Sequence, residues 1–264
     1  MPARYARPPC APMESRDSWK GLEVSRLRVA VAGAAGYVGS ALVEALERNG
    51  RTEVVPVLRA DHERHRTAGR YDVLINAACP SKRFWAEQHP EEDRRETVDK
   101  TRLLREQWRW ERFVQISSIS ARTQLDTVYG RHRAEAEQLC SGPDTLVVRL
   151  GPMYGGDYRK GVLADMAADR PVFASGRSRQ SFAPVDWCAE WITGHLGDTG
   201  LREVGARTTV TLSEVRDAVG SHSPFAKDYV DDQFPITATG PDWPEAAAVI
   251  DWLAGRRVSG APAR

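Results

Sequence analysis

The strongest constraint in this chain is a short apolar run, Leu27-Arg28-Val29-Ala30-Val31-Ala32, that ends in Gly33-Ala34-Ala35-Gly36-Tyr37-Val38-Gly39. A β-branched run closed by three glycines at intervals of three predicts a strand, a tight turn and the start of a helix. Apolar residues at Ala41, Leu42, Ala45 and Leu46 give that helix one buried face, and Asn49-Gly50 stop it. Each glycine has its own task in such a turn. Gly33 permits the reversal, Gly36 lets the backbone approach a pyrophosphate, and Gly39 lets the helix lie close on the strand. The free helix amides, with Ala35, Tyr37 and Val38 around them, then face the phosphates. A tight turn without a ligand is the bland alternative, and the strand and helix on either side favour a nucleotide site over it.

Further along, residues 54–58 and 72–77 read as strands, with Pro56 pointing to a sheet edge. A helix fits residues 91–108, a strand 112–117, a helix 130–140 and a buried strand 145–150. Short apolar strands alternating with helices indicate an α/β fold with a parallel, doubly wound sheet. After Gly155 the rhythm loosens. Helices fit residues 161–168, 187–195 and 244–256, and strand-like segments fit 171–174 and 181–185. This division gives a disordered tail over residues 1–26, a nucleotide-binding domain over 27–155, and a smaller cap over 156–264 with segments returning to the core. The cap core takes Trp187, Trp191, Trp243 and Trp252.

Composition narrows the partners. The 264 residues carry 37 basic and 36 acidic side chains, a formal charge of +1, so no global field draws the chain to nucleic acid or to an anionic membrane. No apolar run approaches the roughly 18 residues of a membrane helix, and the tail lacks a secretory signal. The four cysteines stand far apart without a C-x-x-C pair, which argues against a zinc site or disulfide framework and suits a reducing cytoplasm. The six histidines are dispersed, with His62, His65 and His132 expected at the surface. Of the 37 basic residues only five are lysines.

The G-x-x-G-x-x-G spacing resembles the short-chain dehydrogenase/reductase superfamily, and four further segments resemble its extended, epimerase/dehydratase branch. These are Asp72-Val-Leu-Ile-Asn76-Ala77-Ala78, Phe113-Val-Gln-Ile-Ser117-Ser118, Tyr129-Gly-Arg-His-Arg133-Ala-Glu-Ala-Glu, and Arg149-Leu-Gly151-Pro152-Met153-Tyr154-Gly155. Arg179-Gln-Ser-Phe182-Ala-Pro-Val185-Asp186 is similar to the strand that lies near the substrate in that branch. The resemblance runs in order over residues 27–192; family members usually place a helix, strand and helix after the second strand, and the twelve residues between Arg59 and Asp72 are too few for them, so the resemblance implies a sheet abbreviated at that edge. It implies a Rossmann domain whose NAD(P) site includes Asn76, Ala77, Ala78, Ser117, Tyr129, Arg133, Gly151, Pro152 and Met153. It also implies a substrate site near Cys79 and Arg179 and a homodimer built on the helix that carries the tyrosine; the short loop between Ser118 and Tyr129 offers Ser120, Arg122, Thr123 and Gln124 to that site, with a solvated loop as the equal alternative. Lys82 and Arg83 suit an anionic ligand, and a surface turn is their alternative. After the second strand an acid would bind the ribose 2′-hydroxyl and an arginine can hold a 2′-phosphate; Arg59 stands there, which favours NADP, with Asp61 leaving NAD open.

By the same resemblance Tyr129 is the general acid/base and Ser118 holds the substrate oxygen. Physically, a phenol with a pKa of about 10 must fall to about 7 to work near neutrality, a change of about 4 kcal/mol. A cation one helical turn away and the positive nicotinamide ring can supply it. The departure is Arg133, where the family has lysine. Three readings stand: a conservative exchange in an arginine-rich chain, a remodelled site, or a retained fold without activity. The retention of Ser118 and Tyr129 favours the first. The sequence therefore points to hydride transfer on a secondary alcohol or ketone of a small, sugar-like or sugar-nucleotide substrate, with a non-catalytic NADP-binding sensor as the alternative.

Overall fold

The computed structural model describes residues 26–158, 160–237 and 239–258. The amino-terminal tail and Cys10 lie outside the described residues. The elements run β1 (Leu27–Ala32), α1 (Tyr37–Asn49), β2 (Thr52–Val57), α2 (His62–Thr67), β3 (Arg70–Asn76), α3 (Arg83–Gln88), α4 (Pro90–Arg94), α5 (Lys100–Gln107), β4 (Arg109–Ser118), α6 (Ser120–Thr123), α7 (Val128–Gln138) and β5 (Thr145–Leu150). They continue with β6 (Met153–Tyr154), α8 (Val162–Ala167), β7 (Arg179–Gln180), β8 (Ala183–Pro184), α9 (Val185–Gly194), β9 (Gly200–Val204), β10 (Val210–Thr211), α10 (Leu212–Ala218) and α11 (Ala248–Val258).

Six strands form one parallel sheet in the order β2-β1-β3-β4-β5-β9. Both of its faces are covered, which is why the central strands are apolar over nearly their whole length. Alternate residues then separate by face. Val29, Val31, Val73, Ile75, Val114, Ile116 and Val148 pack with α1 and α9, whereas Ala30, Ala32, Leu74, Phe113 and Val147 pack with Leu104 and Trp108. A doubly wound Rossmann sheet with β2 at its edge is thus the observed architecture. Pro56 falls on that edge strand, where its missing N–H breaks no ladder. Between β2 and β3 there is only the short helix α2, so the abbreviated edge is also as the sequence indicates.

Several expectations need correction. The helix expected over 91–108 is continuous from Pro90 to Gln107, but its turn at Arg95–Asp99 is a π turn between α4 and α5. The loop between Ser118 and Tyr129 contains α6. Residues 171–174 form no strand, only a bridge from Val172 to Phe225. Trp187, Trp191 and Trp243 pack together against the α1/α9 face of the sheet, and Trp252 alone of the four joins the second apolar cluster with Tyr154, Leu163, Phe182 and Leu253. That second cluster gathers α8, α10 and α11 beside the carboxyl ends of the strands. His62 is half-buried against Trp108, and His132 is largely buried against Asp93, so neither is a surface histidine.

Candidate active site

The glycine turn is built by contact as well as by conformation. Gly33 adopts φ +83°, and a Cβ there would lie 2.6 Å from Ala78 Cα, so the turn rests directly on the loop that follows β3. A Cβ on Gly39 would stand 2.0 Å from the Gly33 carbonyl oxygen, which sets how closely α1 approaches β1. No side chain caps α1 and no acid occupies its first turn. Its amino-terminal N–H groups and positive dipole end therefore suit a pyrophosphate, and the donor set fits a dinucleotide. Ala35 is exposed on the turn, Val38 packs into the sheet core, and Tyr37 donates its hydroxyl to Gly155 O at 3.1 Å. Burial pushes the Tyr37 pKa up, so the group stays a neutral donor tying α1 to the segment after β6.

Asn76 works from inside. Fully buried, it donates to Thr101 Oγ1 (3.1 Å) and Gln115 Oε1 (2.9 Å) and accepts from Ala78 N (3.2 Å). Ala77 N donates to Ala32 O at 2.9 Å. These bonds fix the course of the loop Ala77-Ala78-Cys79-Pro80 against the glycine turn.

β4 delivers Ser117 and Ser118 at its carboxyl end, the end at which ligands bind in doubly wound sheets. Ser118 Oγ accepts from Ser120 N (3.2 Å), and Ser117 Oγ donates to Glu137 Oε1 (2.5 Å). α7 then starts under a Thr127 cap, whose Oγ1 accepts from Gly130 N at 3.0 Å. Gly130 is where α7 crosses α6, since a Cβ there would lie 2.0 Å from Gln124 O. That crossing seats Tyr129, 6% exposed, and Arg133, 4% exposed, one turn apart. The Arg133 guanidinium carbon lies 5.0 Å from the Tyr129 ring centroid. Nη1 donates to Ile116 O (3.3 Å), and Nη2 donates to Cys79 O (3.2 Å) and Pro80 O (2.5 Å). Burial works against the charge on Arg133, but Tyr129, Cys79 and Asp93 outweigh it and raise the pKa. Asp93, fully buried on α4, lies with its carboxylate 2.8 Å from Nδ1 of His132, the residue next to Arg133.

A chain of buried charges holds α7 to the sheet. Glu137 takes Arg149 from β5 (2.9 and 2.6 Å), Arg149 also reaches Glu203 on β9 (3.3 Å), and Glu203 takes Arg122 from α6 in a fork (2.8 and 3.0 Å). Glu203 is 1% exposed and also accepts from Ile236 N at 2.9 Å. Burial raises its pKa, but Arg122, the Ile236 amide and Arg149 bring it below the ordinary carboxylate value. The hydrogen bond to Glu137 likewise raises the pKa of Arg149.

Of the residues expected near the substrate, Ser120 is fully buried, accepting from Arg83 Nη2 (3.0 Å), and Arg122 also donates to Phe234 O (2.9 Å). Cys79 lines the loop under Arg133. Arg179 is forked onto Asp232 (2.6 and 3.0 Å) and lies over the Phe234 ring. Gly151 N donates to Val204 O and Ala183 N to Pro152 O, with Met153 in β6, so this stretch links the sheet to β8. Arg83 pairs with Asp231, which also accepts from Gln124 (2.9 Å) and Gln233 (2.7 Å). Asp231, Gln233, Glu203 and Asp93 were not anticipated, and no motif marks them. Arg59 extends from the carboxyl end of β2, mostly exposed, with Glu96 at 2.9 Å, while the Asp61 carboxylate accepts from Leu58 N at 2.7 Å.

Residues 29–148 match the NAD dependent epimerase/dehydratase family. None of the curated proteins matches the sequence. Among solved structures, a UDP-glucose 4-epimerase from Thermotoga maritima with UDP-glucose superposes with TM-score 0.68 at 16% identity, over 88% of this chain and 98% of that one. TunA, an NAD dependent NDP-hexosamine 5,6-dehydratase involved in tunicamycin biosynthesis, gives 0.69 at 15% identity over 88% and 98%. RMD from Pseudomonas aeruginosa complexed with NADPH gives 0.67 at 15% identity over 89% and 100%.

The buried chain of charges makes a prediction with a definite sign. Because the Glu203 pKa is lowered in the folded protein, its contribution is complete above its unfolded value near 4.3 and is lost as pH falls through the native value. Glu203→Gln is expected to cost about 3 kcal/mol in urea unfolding at pH 7, a deficit that shrinks below about pH 4. A deficit independent of pH down to 3 contradicts this assignment.

Proposed function

We propose, from the match of residues 29–148 to the NAD dependent epimerase/dehydratase family, that the chain is a member of it and moves a hydride between NAD(P) and a secondary alcohol or ketone of a sugar-nucleotide substrate. The observation that carries this reading is the single buried guanidinium of Arg133, which touches the loop after β3, the end of β4 and the face of Tyr129 at once. The loop rests on the glycine turn, so turn, serine strand and tyrosine form one continuous wall.

The nicotinamide, when bound, supplies or accepts the hydride. Everything else falls to side chains. Ser118 holds the substrate oxygen, and Tyr129 gives its proton to that oxygen in reduction or takes it in oxidation. The Arg133 guanidinium, fixed 5.0 Å from the ring centroid, keeps a positive charge beside the tyrosine. The amides at the start of α1 hold the pyrophosphate, and Ala77, Ala78, Gly151, Pro152 and Met153 border the nucleotide. Cys79, Ser120, Arg122 and Arg179 lie on the substrate side, where the last three order the pocket wall through their partners. Arg59, exposed at the end of β2 while the Asp61 carboxylate is engaged by Leu58 N, supports NADP over NAD. The solved neighbours include proteins holding UDP-glucose and UDP-glucuronic acid, which supports a sugar nucleotide. No helix among the described residues is long and apolar enough to cross a membrane.

Tyr129→Phe is expected to lower turnover at least about 100-fold while NADPH binding stays within about 3-fold. The assay follows absorbance of the reduced cofactor and product chromatography with UDP-glucose, UDP-glucuronic acid and dTDP-4-dehydrorhamnose. Undiminished turnover by the variant would remove the acid/base role. Arg59→Ala is expected to weaken NADPH about tenfold and leave NADH unchanged in equilibrium titration, and equal effects on both would contradict the NADP preference.

A further inference from the structure

The sequence singles out Arg83 for an anionic ligand, and in the structure the anion comes from the chain itself. Arg83, at the start of α3, pairs through Nη1 with the Asp231 carboxylate and donates from Nη2 to Ser120 Oγ at 3.0 Å. Two carboxamides aim at the same carboxylate. Gln124 Nε2 donates to Asp231 Oδ1 at 2.9 Å, and Gln233 Nε2 donates to it at 2.7 Å. Both glutamines are almost wholly buried, at 3% and 2% exposure, whereas the Arg83 side chain is 43% exposed. The carboxamide oxygen of Gln124 is buried without a hydrogen-bond partner among the described residues. The cluster begins two residues from Ser118, whose Oγ accepts from Ser120 N.

We propose that Arg83, Gln124 and Gln233 form a binding site for an oxyanion, a carboxylate or phosphate with a hydroxyl beside it, and that Asp231 is the site's internal occupant, displaced when the ligand arrives. Two buried amide donors and a guanidinium give up one acceptor only for a group that returns several acceptor oxygens. A carboxylate or phosphate does so, and a lone hydroxyl does not. The hydroxyl of the ligand then donates to the Gln124 oxygen, which has no donor while Asp231 is in place. The exchange is local. Asp231 N donates to Ser178 Oγ at 2.9 Å, Ser175 N donates to Tyr229 O at 2.7 Å, and Gln233 N donates to Arg179 O at 2.9 Å, so the backbone is pinned and the Asp231 side chain is what turns. Residues 226–232 form no helix or strand. The pair to be broken has its arginine open to water, where such pairs contribute little. Asp232, the next residue, is forked onto Arg179 at 2.6 and 3.0 Å, so one segment neutralises two guanidinium groups, and release of Asp231 uncovers the one that stands with the two glutamines.

The test titrates the full chain with inorganic phosphate by calorimetry, the wild type beside Asp231→Asn and beside Asp231→Asn combined with Arg83→Gln. The probe is phosphate alone, so the result does not depend on turnover. Asp231→Asn is expected to tighten phosphate at least about tenfold, and the added Arg83→Gln to abolish that gain. Equal affinity in the wild type and Asp231→Asn overturns the proposal and makes the Arg83–Asp231 pair a structural tie. A gain that survives Arg83→Gln also overturns it, because the anion then sits elsewhere, as at the glycine turn. The same variants separate the sources of the anion: tightening of UDP-glucuronic acid over UDP-glucose in Asp231→Asn supports the site with a sugar carboxylate in it, and equal tightening of both supports it with a phosphate. Should Asp231→Asn not fold, crystals of the wild type soaked in phosphate decide. A phosphate within about 3.2 Å of Gln124 Nε2 and Gln233 Nε2 with the Asp231 side chain turned away is expected, and an unmoved Asp231 overturns the proposal.

Discussion

The seat of α7 on the sheet is held by a chain of buried and half-buried charges. From α6 to α7 the chain Arg122, Glu203, Arg149 and Glu137 crosses β9 and β5 and ends on Ser117 of β4. Each member satisfies another, which is the condition under which ions are tolerated away from water. Tertiary packing alone would let α7 slide on the smooth apolar face of the sheet. A bidentate pair fixes its rotation and height, and with them the places of Tyr129 and Arg133.

The same logic explains how a sheet with an abbreviated edge keeps a working cleft. With β2 at the edge, Arg59 and α2 lie at the periphery, while the residues proposed to meet the reacting end of a cofactor sit on β4 and α7 and on the loop after β3, toward the middle of the sheet. The glycine turn leaves no room for a side chain against the loop after β3, and Arg133 holds the other side of that loop through Cys79 O and Pro80 O.

Much of this was legible in the sequence because local rules and tertiary needs agree. The strand at Leu27–Ala32, its glycine turn and β5 (Thr145–Leu150) are called for by periodicity and turn chemistry alone. Pro56 marked its strand as an edge. What escaped depends on partners far along the chain. Nothing in the pattern around Glu203 or Asp231 says that an acid will be buried against an arginine some eighty to a hundred and fifty positions away. His132 looked like a surface residue because helix periodicity carries no sign of Asp93 on the facing helix. The π turn at Arg95–Asp99 likewise widens one turn of an otherwise continuous helix, which composition does not encode. Arg133 is the most instructive residue, since its place in the motif gave its position and the structure gave its bonds.

The central claim is that hydride passes between the nicotinamide and a substrate carbon that leaves as product. It is tested most directly with NADPH carrying deuterium at the transferable position of its nicotinamide ring, incubated with the protein and a keto-sugar nucleotide, and mass analysis of the released sugar. The account predicts one deuterium per product molecule, bound to carbon, and unlabelled oxidised cofactor in equal amount. Product formed without deuterium, with the label still on the nucleotide, would contradict it.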